Sequence, residues 1–182
     1  ISGEQSWRNY SLEATINCLD SLGSVLIAAG WHNIDNHYQV IHRRFGSGMT
    51  QLAIAKIKDG QKSILASIDN SESPLPSPAQ NQEVNYKIYF YDGIIAVMIN
   101  GDFLLSTIDN DFRSGKVAVG EQERKICVKS AKVKELTRFI SPLAPVKRKP
   151  VEISIKQGDL RHAFFRGENI PFSIVLQNNT QE

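Results

Sequence analysis

The sequence predicts an all-β protein, and three observations carry that expectation. Turn signals recur every eight to a dozen residues, with β-favouring runs between them. Several of those runs alternate apolar and polar residues with period two. No segment shows an apolar stripe of helical period. Together they point to a sandwich of antiparallel sheets.

Taken in order, Tyr10 to Leu19 alternates cleanly: Leu12, Ala14, Ile16 and Cys18 share one side, and Ser11, Glu13, Thr15 and Asn17 the other. Asp20 to Gly23 turns the chain. Ser24 to Trp31 is continuously apolar, as expected of a strand covered on both faces. The polar loop His32 to Asn36 leads into Tyr38 to Arg44, which Gly46-Ser47-Gly48 ends. Asp59-Gly60 separates Gln51 to Lys58 from Gln61 to Asp69, two runs whose alternations disagree, so their facing stays open.

The middle of the chain is the most explicit. Asp92-Gly93 and Asn100-Gly101 are two-residue hairpin signals, because a type I′ turn needs φ > 0 at both central residues. The first turn places Tyr91 opposite Ile94, followed by Phe90–Ile95, Ile88–Val97 and Tyr86–Ile99. These last three pairs give six apolar residues on one face, so turn chemistry and core pattern select the same register. The second turn places Val97 opposite Leu104 and Met98 opposite Phe103, completing a three-stranded meander. Lys116 to Gly120 and Lys125 to Leu136 read as the remaining strands. The stretch Asn70 to Gln82 carries three prolines and reads as an exposed crossover loop.

The chain has 182 residues with 21 Lys plus Arg and 19 Asp plus Glu, a formal charge of +2. That balance gives no broad basic field and argues against a nucleic-acid partner. At 41% hydrophobic the sequence can pack a core, and no apolar run reaches the 18 or so residues that a bilayer span needs. Two cysteines make no disulfide framework, and no Cys/His spacing resembles a zinc site. No signal-peptide pattern is seen, and Ile1 is expected to begin an excised or processed chain. Residues 141–150 (SPLAPVKRKP) form a linker that three prolines stiffen. Val151 to Lys156 and Ile170 to Gln177 beyond it look like two strands. Thirty-two residues cannot bury a core alone, so residues 151–182 either pack back on the first domain, 1–140, or open a further β domain.

The string Trp7-Arg8-Asn9-Tyr10-Ser11-Leu12-Glu13-Ala14 resembles the opening of laminin-G-like, concanavalin-A-like jelly rolls. So do Asn85 to Ile88, Ile95 to Gly101, Asp109 to Val119 and the closing Val128 to Leu136, in the order that superfamily uses. The resemblance implies a concanavalin A-like jelly-roll β-sandwich of two antiparallel sheets, first and last strands adjacent, plus a short β-rich C-terminal segment. It also implies a non-catalytic carbohydrate-recognition module of a secreted, periplasmic or cell-surface protein. The partners expected are an oligo- or polysaccharide and other domains of the same protein. With the terminal strands paired, matching Leu12 to Val133 brings Cys18 opposite Cys127 on the inner face. Two buried thiols are the first expectation there and a disulfide the second.

A sugar needs an aromatic platform for its apolar face and planar hydrogen-bonding groups for its hydroxyls. Trp31-His32-Asn33 followed by Asp35-Asn36-His37-Tyr38 concentrates such groups at one strand-loop-strand junction, and Arg43 and Arg44 lie near the end of the following strand. A packed Trp beside a polar loop explains the same residues without a ligand. Tyr89 and Tyr91, two apart on the reverse face of the meander, give rings about 7 Å apart, a spacing that suits adjacent sugars. Lys87, Ala96, Met98, Phe103 and Leu105 are expected beside them, a face to be covered by residues 151–177 or left for a ligand. Trp7 reads as terminal packing.

No Glu-x-Asp-x-x-Glu strand of the kind that retaining glycosidases on this fold display is present, and Glu121 and Glu123 read as a solvated strand end. No catalytic residue, cofactor or metal is expected, and Asp109-Asn110-Asp111 offers too few oxygens for calcium. Two readings stand beside glycan recognition. One is a structural or protein-interaction sandwich that positions neighbouring domains, the other a glycoside hydrolase-like enzyme with atypical acids.

Overall fold

The structure is a computed structural model that describes residues 1–72 and 74–137, together with the backbone of two short strands farther along. The chain divides into two compact units, Ile1–Pro142 and Leu143–Glu182. The linker read over 141–150 and the covering role considered for 151–177 lie outside the described residues.

Ten strands build the first unit: β1 (Tyr10–Cys18), β2 (Gly23–Asn33), β3 (Asn36–Arg44), β4 (Thr50–Lys58), β5 (Gln61–Asp69), β6 (Glu83–Tyr91), β7 (Ile94–Ile99), β8 (Asp102–Ile108), β9 (Lys116–Gln122) and β10 (Ile126–Glu135). They form two antiparallel five-stranded sheets, ordered β10-β1-β6-β7-β8 and β5-β4-β3-β2-β9. No helix occurs among the described residues. In the second unit β11 (Ile153–Gln157) and β12 (Phe172–Leu176) pair antiparallel, Ile153 opposite Leu176.

Alternation sets which residues go inside. Leu12, Ala14, Ile16 and Cys18 of β1 meet Tyr86, Ile88 and Phe90 of β6, Ile95, Val97 and Ile99 of β7, and Val25, Ile27, Val40, Leu52 and Ile54 of the other sheet in one core. Each buried Val, Leu, Ile or Phe among them contributes about 1.5–3 kcal/mol on leaving water. First and last strands of the sandwich are neighbours, β1 beside β10, as the jelly-roll resemblance implies. The meander has the expected β6–β7 register, from Tyr91↔Ile94 through Tyr86↔Ile99. Both central residues have positive φ in all three predicted turns: Asp59 and Gly60, Asp92 and Gly93, Asn100 and Gly101.

Bulges account for each departure from the expected registers. Between β7 and β8 the register shifts at Val97/Met98, so Val97 faces Leu105 and not Leu104. Leu105 thereby leaves the reverse face and joins the core, 8% exposed. A shift at Ile54/Ala55 puts Leu65 out of step between β4 and β5, which is why the alternations of those two runs disagree. A third shift, at Thr15/Ile16, moves the lower half of β10 by one residue. Cys18 then faces Ile126, and Cys127 faces Asn17. Directly opposed residues share a face and successive ones do not, so the two cysteines stand on opposite sides of the sheet. Both are free, Cys18 buried and Cys127 half-buried. The expectation that they meet is corrected.

The Pro-rich crossover is tied down at one end of the sandwich. Arg124, 5% exposed, donates to the carbonyls of Pro78 (2.7 Å) and Asp20 (2.6 Å), and Arg44 donates to the Ser77 hydroxyl (2.6 Å). At the other end Gly115 lies against the bulged Gly30. A Cβ on Gly115, whose φ is +141°, would sit 2.5 Å from the Gly30 carbonyl carbon.

Candidate functional site

The outer face of the sheet β5-β4-β3-β2-β9, turned away from the shared core, holds a depression of about 390 Å3. Its floor follows from the register. Ala28 of β2 lies between Gln39 of β3 and Ala118 of β9, and Leu26 lies beside Gly120. Side chains this small leave a shallow bed. A Cβ on Gly120 would meet nothing within 4 Å. Trp31, Ile34, His37 and Ile57 wall one end, and Glu121 borders it along β9. Trp31 is half-buried and stacks on the imidazole of His37, centroids 4.4 Å apart at 35°. That imidazole, 2% exposed, is fixed through Nδ1 to the Asn33 carbonyl at 3.2 Å, and burial lowers its pKa. The tryptophan thus rests on a rigid support. The arrangement offers a flat aromatic surface at the end of an open apolar bed, with the Gln39 amide as a polar group on the same face.

Of the residues singled out by sequence, Trp31 and His37 line this depression. His32 turns to the rim, its Nε2 3.0 Å from the Ser114 carbonyl and its ring 5.5 Å from that of Phe112. Asn33 is a turn residue: its Oδ1 accepts from the Asp35 N–H (3.0 Å) and the Asn36 amide (3.2 Å). Arg43 shares the outward row of β3 but lies at the far end, paired with Glu123 at 2.9 Å and set over the Phe45 ring at 4.7 Å. Tyr38 points inward. It is 1% exposed, donates to Asp109 Oδ1 at 2.6 Å and accepts from the Phe112 N–H at 3.1 Å. Its ring is a core side chain and offers a ligand no platform.

Tyr89 and Tyr91 lie on the outer face of the opposite sheet, both half-buried, in the rows Ser11–Tyr89–Ala96 and Tyr91–Ile94. Lys87 reaches over the Tyr89 ring at 5.3 Å and pairs with Glu13 of β1 at 2.7 Å. Trp7 packs edge-on against Tyr10 at 6.3 Å and borders the core, in keeping with terminal packing.

The acidic loop is already occupied by cations of the chain itself. Lys56 Nζ lies 2.6 Å from Asp109 and 2.7 Å from Asp111, and Lys58 reaches Asp111 at 3.2 Å. Burial alone would raise the Asp109 pKa, but hydrogen bonds from Lys56 and Tyr38 outweigh it and the net shift is downward. Among the described residues no group of three His, Cys, Asp or Glu side chains is placed to hold a metal ion. Glu121 and Glu123 are exposed.

Sequence reasoning missed most of the bed: Ala28, Gln39, Ala118, Gly120, Ile34 and Ile57. The outward row His37–Gln39–Ile41–Arg43 was readable from the alternation of β3. The small residues beside it were not, because Ala and Gly at half-buried positions look alike on either face.

No protein-family model matches the sequence, and no curated protein matches it. By structure the chain is similar to the carbohydrate-binding module CBM66 from Bacillus subtilis, with a TM-score of 0.59, 12% identity, and coverage of 71% of this chain and 76% of that one. It is similar also to the galectin LEC-6 of Caenorhabditis elegans (TM-score 0.54, 15% identity, 74% and 89% covered). Sheep galectin-11, in complex with glycerol, gives a TM-score of 0.53 at 13% identity, with 70% and 91% covered. At these identities the likeness shows the fold. The first unit is an all-β jelly-roll sandwich of two five-stranded antiparallel sheets, the fold of these neighbours.

Proposed function

We propose that the sandwich is a non-catalytic glycan-recognition module and that the Trp31 depression receives the sugar. The observation that carries this reading is Trp31 itself, held on His37 at the end of a bed floored by Ala28, Ala118 and Gly120. A pyranose lays its apolar C–H face on such a ring, and the Gln39 amide on the same face can meet its hydroxyls. The lectin and carbohydrate-binding neighbours support the reading at the level of fold. The laminin-G-like motifs and the division into two units fit a module of a larger secreted or cell-surface protein, with 1–140 as the recognition domain and 141–150 as the linker. The test is a glycan array on the 182-residue chain, repeated with Trp31→Ala and with a chelator. Binding to a defined glycan set, lost on Trp31→Ala, supports the module. An array without a signal overturns it.

One observation favours a second reading, a protein-interaction sandwich. The same outer face continues past the depression as an apolar cluster of Ile41, Ala53 and Ala55 with Leu26 and Ile57 packed against them. Ile41, Ala53 and Ala55 are already buried, so a protein strand or loop would lie on the partly exposed Leu26 and Ile57 and on Ile64, which stands opposite Ala55 and is 54% exposed.

A further inference from the structure

The outer face of the other sheet carries charge in an ordered pattern. In β10, Lys132 lies opposite Glu13 and Lys134 opposite Ser11; in β6, Lys87 lies opposite the same Glu13 and Tyr89 opposite the same Ser11. Opposed residues in neighbouring strands share a face, so three ammonium groups and one carboxylate gather over two adjacent rows. Strand spacing puts Lys132 and Lys87 about 10 Å apart across Glu13, and Lys134 about 7 Å from Lys132 along the strand. Lys132, Lys134 and Glu13 are exposed and Lys87 is half-buried. Lys87 is bonded to Glu13, and that bond, with the fields of Lys132 and Lys134, holds the Glu13 carboxyl below its ordinary range.

Lysine on an edge strand also protects a sheet from pairing with strangers. That need would be met by β10 alone. It does not account for Lys87, which stands on β6, two strands in from the edge, nor for the convergence of all three cations on one carboxylate.

We infer that this face is a second ligand surface, for an acidic polysaccharide whose carboxylate or sulfate groups bridge Lys132, Lys134 and Lys87. The inference rests on the glycan-recognition reading and adds the class of sugar. One internal carboxylate against three ammonium groups leaves local charge for an anionic ligand, and Glu13 tempers it. The formal charge of +2 over the whole chain gives no field broad enough for a nucleic acid, so the ligand is placed by a local patch.

The experiment compares dextran sulfate with unsubstituted dextran, which share a backbone and differ in charge, and adds polygalacturonate as the carboxylate probe. The expected result is binding of the charged polymers that weakens as salt rises. Lys132→Gln/Lys134→Gln should lower that affinity at least ten-fold with an unchanged melting temperature, since both side chains are exposed. Glu13→Gln should raise it about three-fold, an increase that loss of folding cannot imitate. Wild-type affinity in the double lysine variant overturns the inference. So does a single-stranded oligonucleotide or a phosphatidylserine vesicle that binds more tightly through the same lysines. Trp31-dependent binding of neutral glycans without binding of charged ones overturns this inference alone, whereas no glycan binding of any kind overturns the reading beneath it.

Discussion

The hydroxyl of Tyr86, on β6, lies 2.9 Å from Nδ1 of His42, on β3, so one hydrogen bond joins the two sheets through the middle of the core. Both side chains are almost wholly buried, His42 at 0% exposure and Tyr86 at 2%. With the imidazole in its Nε2–H tautomer the tyrosine donates and His42 accepts. Burial, with Arg124 adding to it, pushes the His42 pKa down to about 4.

Acid should therefore unfold the sandwich earlier than its carboxylates alone would. An unfolded chain protonates this histidine near pH 6.5, whereas the folded one keeps it neutral to about 4. Stability is full above pH 6.5 and is lost as the pH falls toward 4, by on the order of 3 kcal/mol. His37, its pKa also lowered by burial, acts in the same direction. Urea midpoints measured from pH 7 to pH 4 should fall steeply in the wild type. In His42→Gln they should start lower and fall less; parallel curves would show that His42 does not govern the slope.

Tyr38→Phe should destabilise the fold by about 1–3 kcal/mol, because it leaves the buried Phe112 N–H without its partner and takes one of two donors from Asp109 Oδ1, which keeps the Asp111 N–H. Glycan affinity should not change, since the ring lies inside the sandwich. Denaturant unfolding and the array check the two halves separately, and lost affinity in a stably folded variant would return Tyr38 to the ligand surface.

Gly115→Ala should cost about 3 kcal/mol or more. The added methyl has a positive φ to overcome and the Gly30 carbonyl carbon 2.5 Å away. Thermal unfolding beside a control at Gly120, where a methyl meets nothing within 4 Å, separates the clash from the loss of a glycine. Similar losses at the two sites would contradict the close approach.

The intact mass should be the same with and without reductant. Iodoacetamide should modify Cys127 in the folded protein and Cys18 only after denaturation, because Cys18 is at 0% exposure. A two-dalton difference on reduction would place the two thiols together after all.

Strand order, the three Asx-Gly turns and the core face of the meander were legible because turn chemistry and period-two alternation are local properties. The registers held as far as the first bulge. Leu104, Leu65 and Lys129 are the residues out of step, and nothing in their identity marks them as extra. Each moves its neighbours to the other face, which sends Leu105 into the core and Cys127 away from Cys18. Trp31 was legible as a candidate platform because a large aromatic beside polar turn residues is unusual. Tyr38, only seven residues on, belongs by the alternation of β3 to the inward row and is held there by Asp109, 71 positions distant.

Tryptophan fluorescence tests the proposed sugar-binding face most directly. The chain has two tryptophans, so Trp7→Phe leaves Trp31 as the single reporter. Titration with the best glycan from the array should shift and saturate its emission at the affinity of the unmodified protein, and Trp31→Ala should abolish binding with the melting temperature held within about 2 °C. Saturable binding with no change in Trp31 emission, or undiminished binding in Trp31→Ala, would place the sugar elsewhere on the molecule.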